Sequence, residues 1–199
     1  MKKIIAFLIG VFMFSQINVV LGAQSKPLSP TQELQFFITN LKSLDYTDTS
    51  AKNLRNIKST EKDLRGFFDL NKLGRITMKS RWENATDTQQ KKFVFTMQRL
   101  LEKIAYPSSS DFFKKYKPVL LPAEIEGNKA EIRVTINVDD GAETVVFKFS
   151  KKQAKWAVYD VVIDDESLAD DFGMQFNKIF QKKDFNGLLE LMGAKLNEK

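Results

Sequence analysis

Apolar positions along this chain follow a helical period in its first half, an alternating period in its middle and a helical period again at its end. Ser29-Pro30-Thr31-Gln32 opens the first helix, with Ser29 as N-cap, Pro30 at the first helical position and Gln32 closing a capping box. Leu34, Phe37, Ile38, Leu41 and Leu44 then fall on one face. A second, more polar helix over residues 50 to 66 carries Leu54, Ile57 and Leu64 and stops at Gly66. Asp69 caps a third to about Trp82, with Leu70, Leu73, Ile76 and Thr77 inward and Gly74 as a weak point that packing must offset. Thr86-Asp87-Thr88-Gln89 is another capping box, and Phe93, Met97, Leu100, Leu101 and Ile104 form the clearest amphipathic stripe. Pro107 and the three serines after it are expected to stop that helix, with Asp111 to Lys117 adding a turn or two.

After Pro118 the period becomes two. Ile132, Val134, Ile136 and Val138 alternate with Glu131, Arg133, Thr135 and Asn137, as in a half-buried strand. Turn signals at Glu126-Gly127-Asn128 and Asp139-Asp140-Gly141 join it to strands near 119 to 125 and from Glu143 to Phe149; a fourth runs from Lys155 to Ile163. Such short connections predict an antiparallel meander. Ser167 caps a helix with Asp170 and Asp171 in its first turn and Leu168, Phe172, Phe176, Ile179 and Phe180 on its apolar face. Asp184 caps the last, with Leu188, Leu189 and Met192 inward. The expectation is an α+β fold, a four-stranded antiparallel sheet packed against several helices.

Composition narrows the function. Met1-Lys2-Lys3, the apolar run Ile4 to Phe14 and the small residues of Val20-Leu21-Gly22-Ala23 read as a cleaved export signal over residues 1–23. Ser15, Gln16 and Asn18 interrupt the run before it reaches the roughly 20 apolar residues of a bilayer span. Residues 24–199 remain, 176 residues, a length for one domain. The chain has no cysteine and no histidine, which removes disulfides and the commonest zinc and nucleophile–base sites. The 31 basic residues less Lys2 and Lys3, against 25 acidic ones, leave a net charge of +4 spread along the chain, which argues against nucleic acid as a partner. Asp164, Asp165, Glu166, Asp170 and Asp171 raise the alternative of a Ca²⁺- or Mg²⁺-dependent hydrolase, but the last two are explained by the helix start.

The fourth strand has Trp156, Val158 and Val162 on one face and Ala157, Tyr159, Val161 and Ile163 on the other. Both faces ask for burial, by a second helical cover or by an enclosed pocket.

Two groups of residues carry a family resemblance. Phe68-Asp69-Leu70, Arg75, Arg81-Trp82, Ala85-Thr86, Gln89-Gln90-Lys91-Lys92-Phe93, Leu100-Leu101 and Ala105-Tyr106 form the first. Trp156, Tyr159-Asp160-Val161-Val162, Ser167-Leu168, Gln175-Phe176, Phe185 and Gly187-Leu188 form the second. Together they resemble MlaC, the toluene-tolerance family of periplasmic phospholipid-binding proteins, over about Ser29 to Leu196. Two departures stand out: Asp164-Asp165-Glu166 replaces a glycine-containing turn before Ser167, and Gly173-Met174 stands where an arginine often precedes Gln-Phe.

The resemblance implies a deep apolar pocket between sheet and helices. It also implies a monomeric periplasmic shuttle carrying glycerophospholipid as cargo, without a cofactor, between an outer-membrane lipoprotein complex and an inner-membrane ABC transporter complex, so maintaining outer-membrane lipid asymmetry. On that reading Phe93, Met97, Leu101, Tyr106, Ile132, Val134, Ile136, Phe147, Phe149, Trp156, Val158, Phe172 and Phe176 are the candidate lipid-binding residues, no residue is catalytic and none binds metal. The competing reading is a lipid-free adaptor domain that docks on envelope complexes and has a closed core.

Overall fold

The structure, a computed structural model, describes residues 27–139 and 141–198; the expected export signal at 1–23 lies outside them. Helices α1 (Pro30–Ser43), α2 (Ala51–Leu64), α3 (Leu70–Met78), α4 (Ser80–Glu83) and α5 (Asp87–Leu100) come first. A π-helical turn (Leu101–Ala105) leads into α6 (Tyr106–Lys115). Strands β1 (Pro118–Leu120), β2 (Glu124–Glu126), β3 (Lys129–Val138), β4 (Gly141–Lys152), β5 (Lys155–Ile163) and β6 (Glu166–Ser167) follow, then α7 (Leu168–Phe180) and α8 (Phe185–Asn197). The caps set the helix starts: Ser29 and Thr86 form full capping boxes, and the Ser50, Asp69, Ser167 and Asp184 side chains each accept from a first-turn backbone N–H.

The strands form one antiparallel sheet in the order β1-β3-β4-β5-β6, with β2 also on β3. There are six strands instead of four, for two local reasons. Pro122 lies in the gap that splits the strand expected at 119 to 125 into β1 and β2. Asp164 and Asp165 both take positive φ, 49° and 64°, the conformation a two-residue hairpin loop demands, so β5 turns back into β6 without the glycine.

Two further expectations are corrected. Pro107 does not end a helix. The π turn interrupts the regular hydrogen-bond ladder just before it, so a proline in the first turn of α6 costs little there, and the chain stays helical to Lys115. The turn also rotates the buried stripe: Glu102 is 3% exposed and Ile104 44%. The second correction concerns β5. Lys148 pairs with Asp160 and Phe149 with Val158, leaving Tyr159 as an extra residue in a bulge. Burial parity shifts across it, so Trp156, Val158 and Val161 are all buried in one core while Val162 is half-buried and Ile163 exposed. One core face, phase-shifted at the bulge, replaces the two that the pattern suggested.

The apolar residues gather in two cores. The first joins α1, α2 and α6 to the sheet; the second joins α3, α4, α5, α7 and α8 around Trp82, Phe93, Phe176 and Leu188. Lys79, at φ 51°, breaks the helix before Trp82 and folds the indole back over Gly74. A Cβ on Gly74 would lie 2.3 Å from the Trp82 ring. Gly74→Ala should therefore cost about 1–3 kcal/mol in urea unfolding. Gly193→Ala, on α8 with nothing within 4 Å of its added methyl, should be neutral or stabilising by up to about 1 kcal/mol.

Candidate functional site

Where the two cores meet they do not interdigitate fully, and a cavity of about 520 Å³ remains. Its sheet wall is Ile136, Val145, Phe147, Val158 and Val161, at the end where β3 finishes and β4 begins. Helical residues close it: Phe37 of α1, Leu70 and Leu73 of α3, Met97 of α5, Phe112 and Phe113 of α6, Leu168 and Phe172 of α7. Leu101 and Ala105 come from the π turn, with Tyr106 next in line. Phe68 and Leu101 pack against both cores and so mark the seam. The lining residues that reach solvent, Ser108, Ile163 and Leu168, mark the mouth.

Backbone pairing fixes this seam. Val158 N–H donates to the Phe67 carbonyl and Asp69 N–H donates to the Val158 carbonyl, both at 2.7 Å, forming a parallel bridge that pins Phe68 to β5. Phe37 stacks on Phe67 with ring centres 3.8 Å apart and meets Phe68 and Tyr106 edge-on.

Of the thirteen expected residues, Met97, Leu101, Tyr106, Ile136, Phe147, Val158 and Phe172 line the cavity. The other six do not. Ile132, Val134, Phe149 and Trp156 are buried in the first core away from the cavity wall, and Phe93 and Phe176 pack edge-to-face within the second. Periodicity gave the inward face of each element, but the cavity occupies only one end of the sheet. Ala105, Ser108, Ser109 and Phe112 also line the cavity, because the helix continues through Pro107, which the sequence signals only in the helical spacing of Tyr106, Ser110 and Phe113. Val161 and Ile163 reach the lining because the bulge shifts the parity of β5.

The described lining holds three carboxylates, Asp69, Glu143 and Asp160, and no lysine or arginine. Asp160 is buried yet fully engaged: it accepts from Ser167 Oγ (2.9 and 3.0 Å) and Ala169 N–H (3.1 Å), and Lys148 Nζ lies 3.6 Å away. Ser167 Oγ in turn accepts from Asp170 N–H, so Asp160 anchors the start of α7 to the sheet. Asp160→Ala leaves these donors without their acceptor and should cost about 2 kcal/mol in urea unfolding, with loss of the α7 cap. The carboxylates at 164 to 171 serve the turn and the helix start, and no group of three or more acidic side chains converges to hold a metal among the described residues.

Tyr106 turns its ring to the cavity and its hydroxyl to a polar network. Gln98 Nε2 donates to that hydroxyl (3.5 Å) and to Glu102 (3.2 Å), while Arg65 and Arg99 hold Glu102 at 2.9 and 2.8 Å. Burial, aided by the Glu102 charge and opposed by the Gln98 hydrogen bond, pushes the Tyr106 hydroxyl up to about 12. A tyrosine whose folded pKa exceeds its unfolded value stabilises fully below the unfolded value and loses that contribution as pH rises through the folded one. Stability should therefore fall between about pH 10 and 12, and Tyr106→Phe should flatten that part of the fall in pH-dependent unfolding.

The family model described as MlaC protein matches residues 31–194. No curated protein matches significantly. Among solved structures, the phospholipid-binding protein from Ralstonia solanacearum, in complex with a phospholipid, superimposes with a TM-score of 0.68 at 19% identity, over 84% of this chain and 96% of that one. That likeness is one of fold.

Proposed function

The chain belongs to the MlaC family, and from that premise we propose that it is a phospholipid carrier whose acyl cargo occupies the cavity between the two cores. The observation that carries this reading is the cavity itself: about 520 Å³ with a wall of aliphatic and aromatic side chains and an opening at Ser108, Ile163 and Leu168. Each methylene moved from water into such a wall contributes roughly 0.8 kcal/mol, so a free lipid does not cross water unaided. A carrier competes with a bilayer and not with water, so its net preference is small and transfer is reversible. Among the described residues no helix is long and apolar enough to cross a membrane, which suits a shuttle.

The carrier would work in the periplasm as a monomer, exported by its leader, moving glycerophospholipid between an outer-membrane lipoprotein complex and an inner-membrane ABC transporter complex. It needs no chemistry of its own. Met97, Leu101, Tyr106, Ile136, Phe147, Val158 and Phe172 are the sequence-expected residues that would touch cargo, joined by Phe37, Phe68, Ala105, Phe112 and Val161.

The adaptor reading draws on a second surface. A groove of about 590 Å³ beside α5 carries Arg65, Lys91, Arg99, Lys152 and Lys155, with Phe95 67% exposed among them. This suits an acidic protein face, but it requires the cavity to stay empty. Native mass spectrometry and lipid extraction on protein purified from a bacterial periplasm without detergent separate the two readings. The expected result is a near-stoichiometric glycerophospholipid, lost in Val145→Asp, which places a carboxylate in the wall, and retained in Val119→Asp, on the exposed edge. A lipid-free mass that also resists loading from liposomes would sink the carrier and leave the adaptor.

A further inference from the structure

We propose that the basic groove beside α5 seats the protein on an anionic phospholipid surface, and that in this pose the cavity mouth faces away from the bilayer. The docking stands without the carrier reading; what the direction of the mouth means rests on it.

The groove gathers cations from three separate stretches: Arg65 after α2, Lys91 and Arg99 on α5, and Lys152 and Lys155 at the hairpin joining β4 to β5. Glu102 holds one N–H of each arginine, at 2.9 and 2.8 Å, so both guanidinium groups are fixed yet half-exposed, with donors left over for an anion. Lys91, Lys152 and Lys155 take part in no ion pair among the described residues. The one carboxylate in the described lining, Asp69, is committed to the Lys72 N–H. Phe95 stands among these cations at 67% exposure, the highest of any large apolar side chain among the described residues.

A bilayer fits this set better than an acidic protein face does. Lipid phosphates diffuse laterally to cations spread over several elements, whereas fixed carboxylates must match their spacing. An exposed aromatic ring beside lysines also suits the boundary between headgroups and acyl chains.

The other end of β5 carries the opposite charge. Glu143 lines the cavity, and Asp164, Asp165 and Glu166 lie between Ile163 and Leu168 at its mouth. None of the four takes part in an ion pair among the described residues. Lys155 opens β5 and Ile163 ends it, roughly 25 Å apart at a rise of about 3.3 Å per residue. The Debye length is about 10 Å in roughly 0.1 M salt, so the groove is drawn to an anionic surface while the acidic mouth stays beyond its reach. Anionic lipid attracts one end and repels the other, which leaves the mouth open to a partner in solution.

The test separates docking, place and pose. Protein purified from a bacterial periplasm is mixed with vesicles of phosphatidylcholine, alone or with about a third phosphatidylglycerol, and floated on a density gradient. It should float with the anionic vesicles only and come off in roughly 1 M salt. Each of Lys91→Gln, Lys152→Gln and Lys155→Gln should weaken binding about fivefold, and Phe95→Ser comparably, while Lys178→Gln, exposed on α7 outside the groove, should leave it unchanged. Because the chain has no cysteine, a fluorophore can be attached to Ala154→Cys, in the hairpin beside Lys155, or to Ser108→Cys, at the mouth. Nitroxide-labelled headgroups should quench the first and spare the second. No flotation with anionic vesicles overturns the docking and leaves the carrier reading intact. Equal losses in Lys178→Gln and the groove variants overturn the groove as the contact. Equal quenching at both positions overturns the pose. Docking in this pose by protein that takes up no lipid overturns the carrier reading alone.

Discussion

The bridge between Phe68 and Val158 holds the two halves of this molecule in register. It is only two backbone hydrogen bonds, but it ties the start of α3, and the second core behind it, to the middle of β5 at the point where that strand bulges. It works beside the Asp160 anchor and the β5–β6 pairing, which tie the start of α7 to the same strand. With it, the aromatic group of Phe37, Phe67 and Phe68 sits at the seam, and the space beyond is left unfilled because neither core can slide to close it.

Interiors normally pack close to crystal density, and an apolar void forfeits contacts on every side of its lining. A cavity lined by aromatics and aliphatics is therefore a standing cost that an apolar occupant would relieve. The surrounding structure supplies the compensation: Trp82 over Gly74 and the Arg65–Glu102–Arg99 network behind Tyr106 brace the helices that carry the wall, and the Asp160 anchor of α7 is part of the wall itself. On the carrier reading, such a wall would let an occupant come and go without the fold being remade.

The sequence made the elements legible where the physics is local. Side-chain caps at Ser29, Thr86, Ser167 and Asp184 mark helix starts to the residue, and the alternation from Glu131 to Val138 marks β3. What remained hidden is non-local or depends on one added residue. Tyr159 becomes a bulge only because β4 supplies no partner for it, and nothing near Pro107 announces a helix running through it until the π turn is seen. The candidate site shows the same division. Ile136 and Ile132 are alike by pattern, yet only Ile136 reaches the cavity, because the position of the void is set by how far two cores approach and not by any strand's own periodicity.

The π turn at Leu101–Ala105 amounts to one residue more than a regular helix would use. Removing a single residue there would turn everything after the deletion by about 100° and set Pro107 inside a regular hydrogen-bond ladder. Tyr106, Phe112 and Phe113 would leave the wall together. The angular phase of α6, and with it the existence of the cavity, thus hangs on an insertion one residue long, the smallest step by which a solid fold of this kind could acquire an interior or lose it.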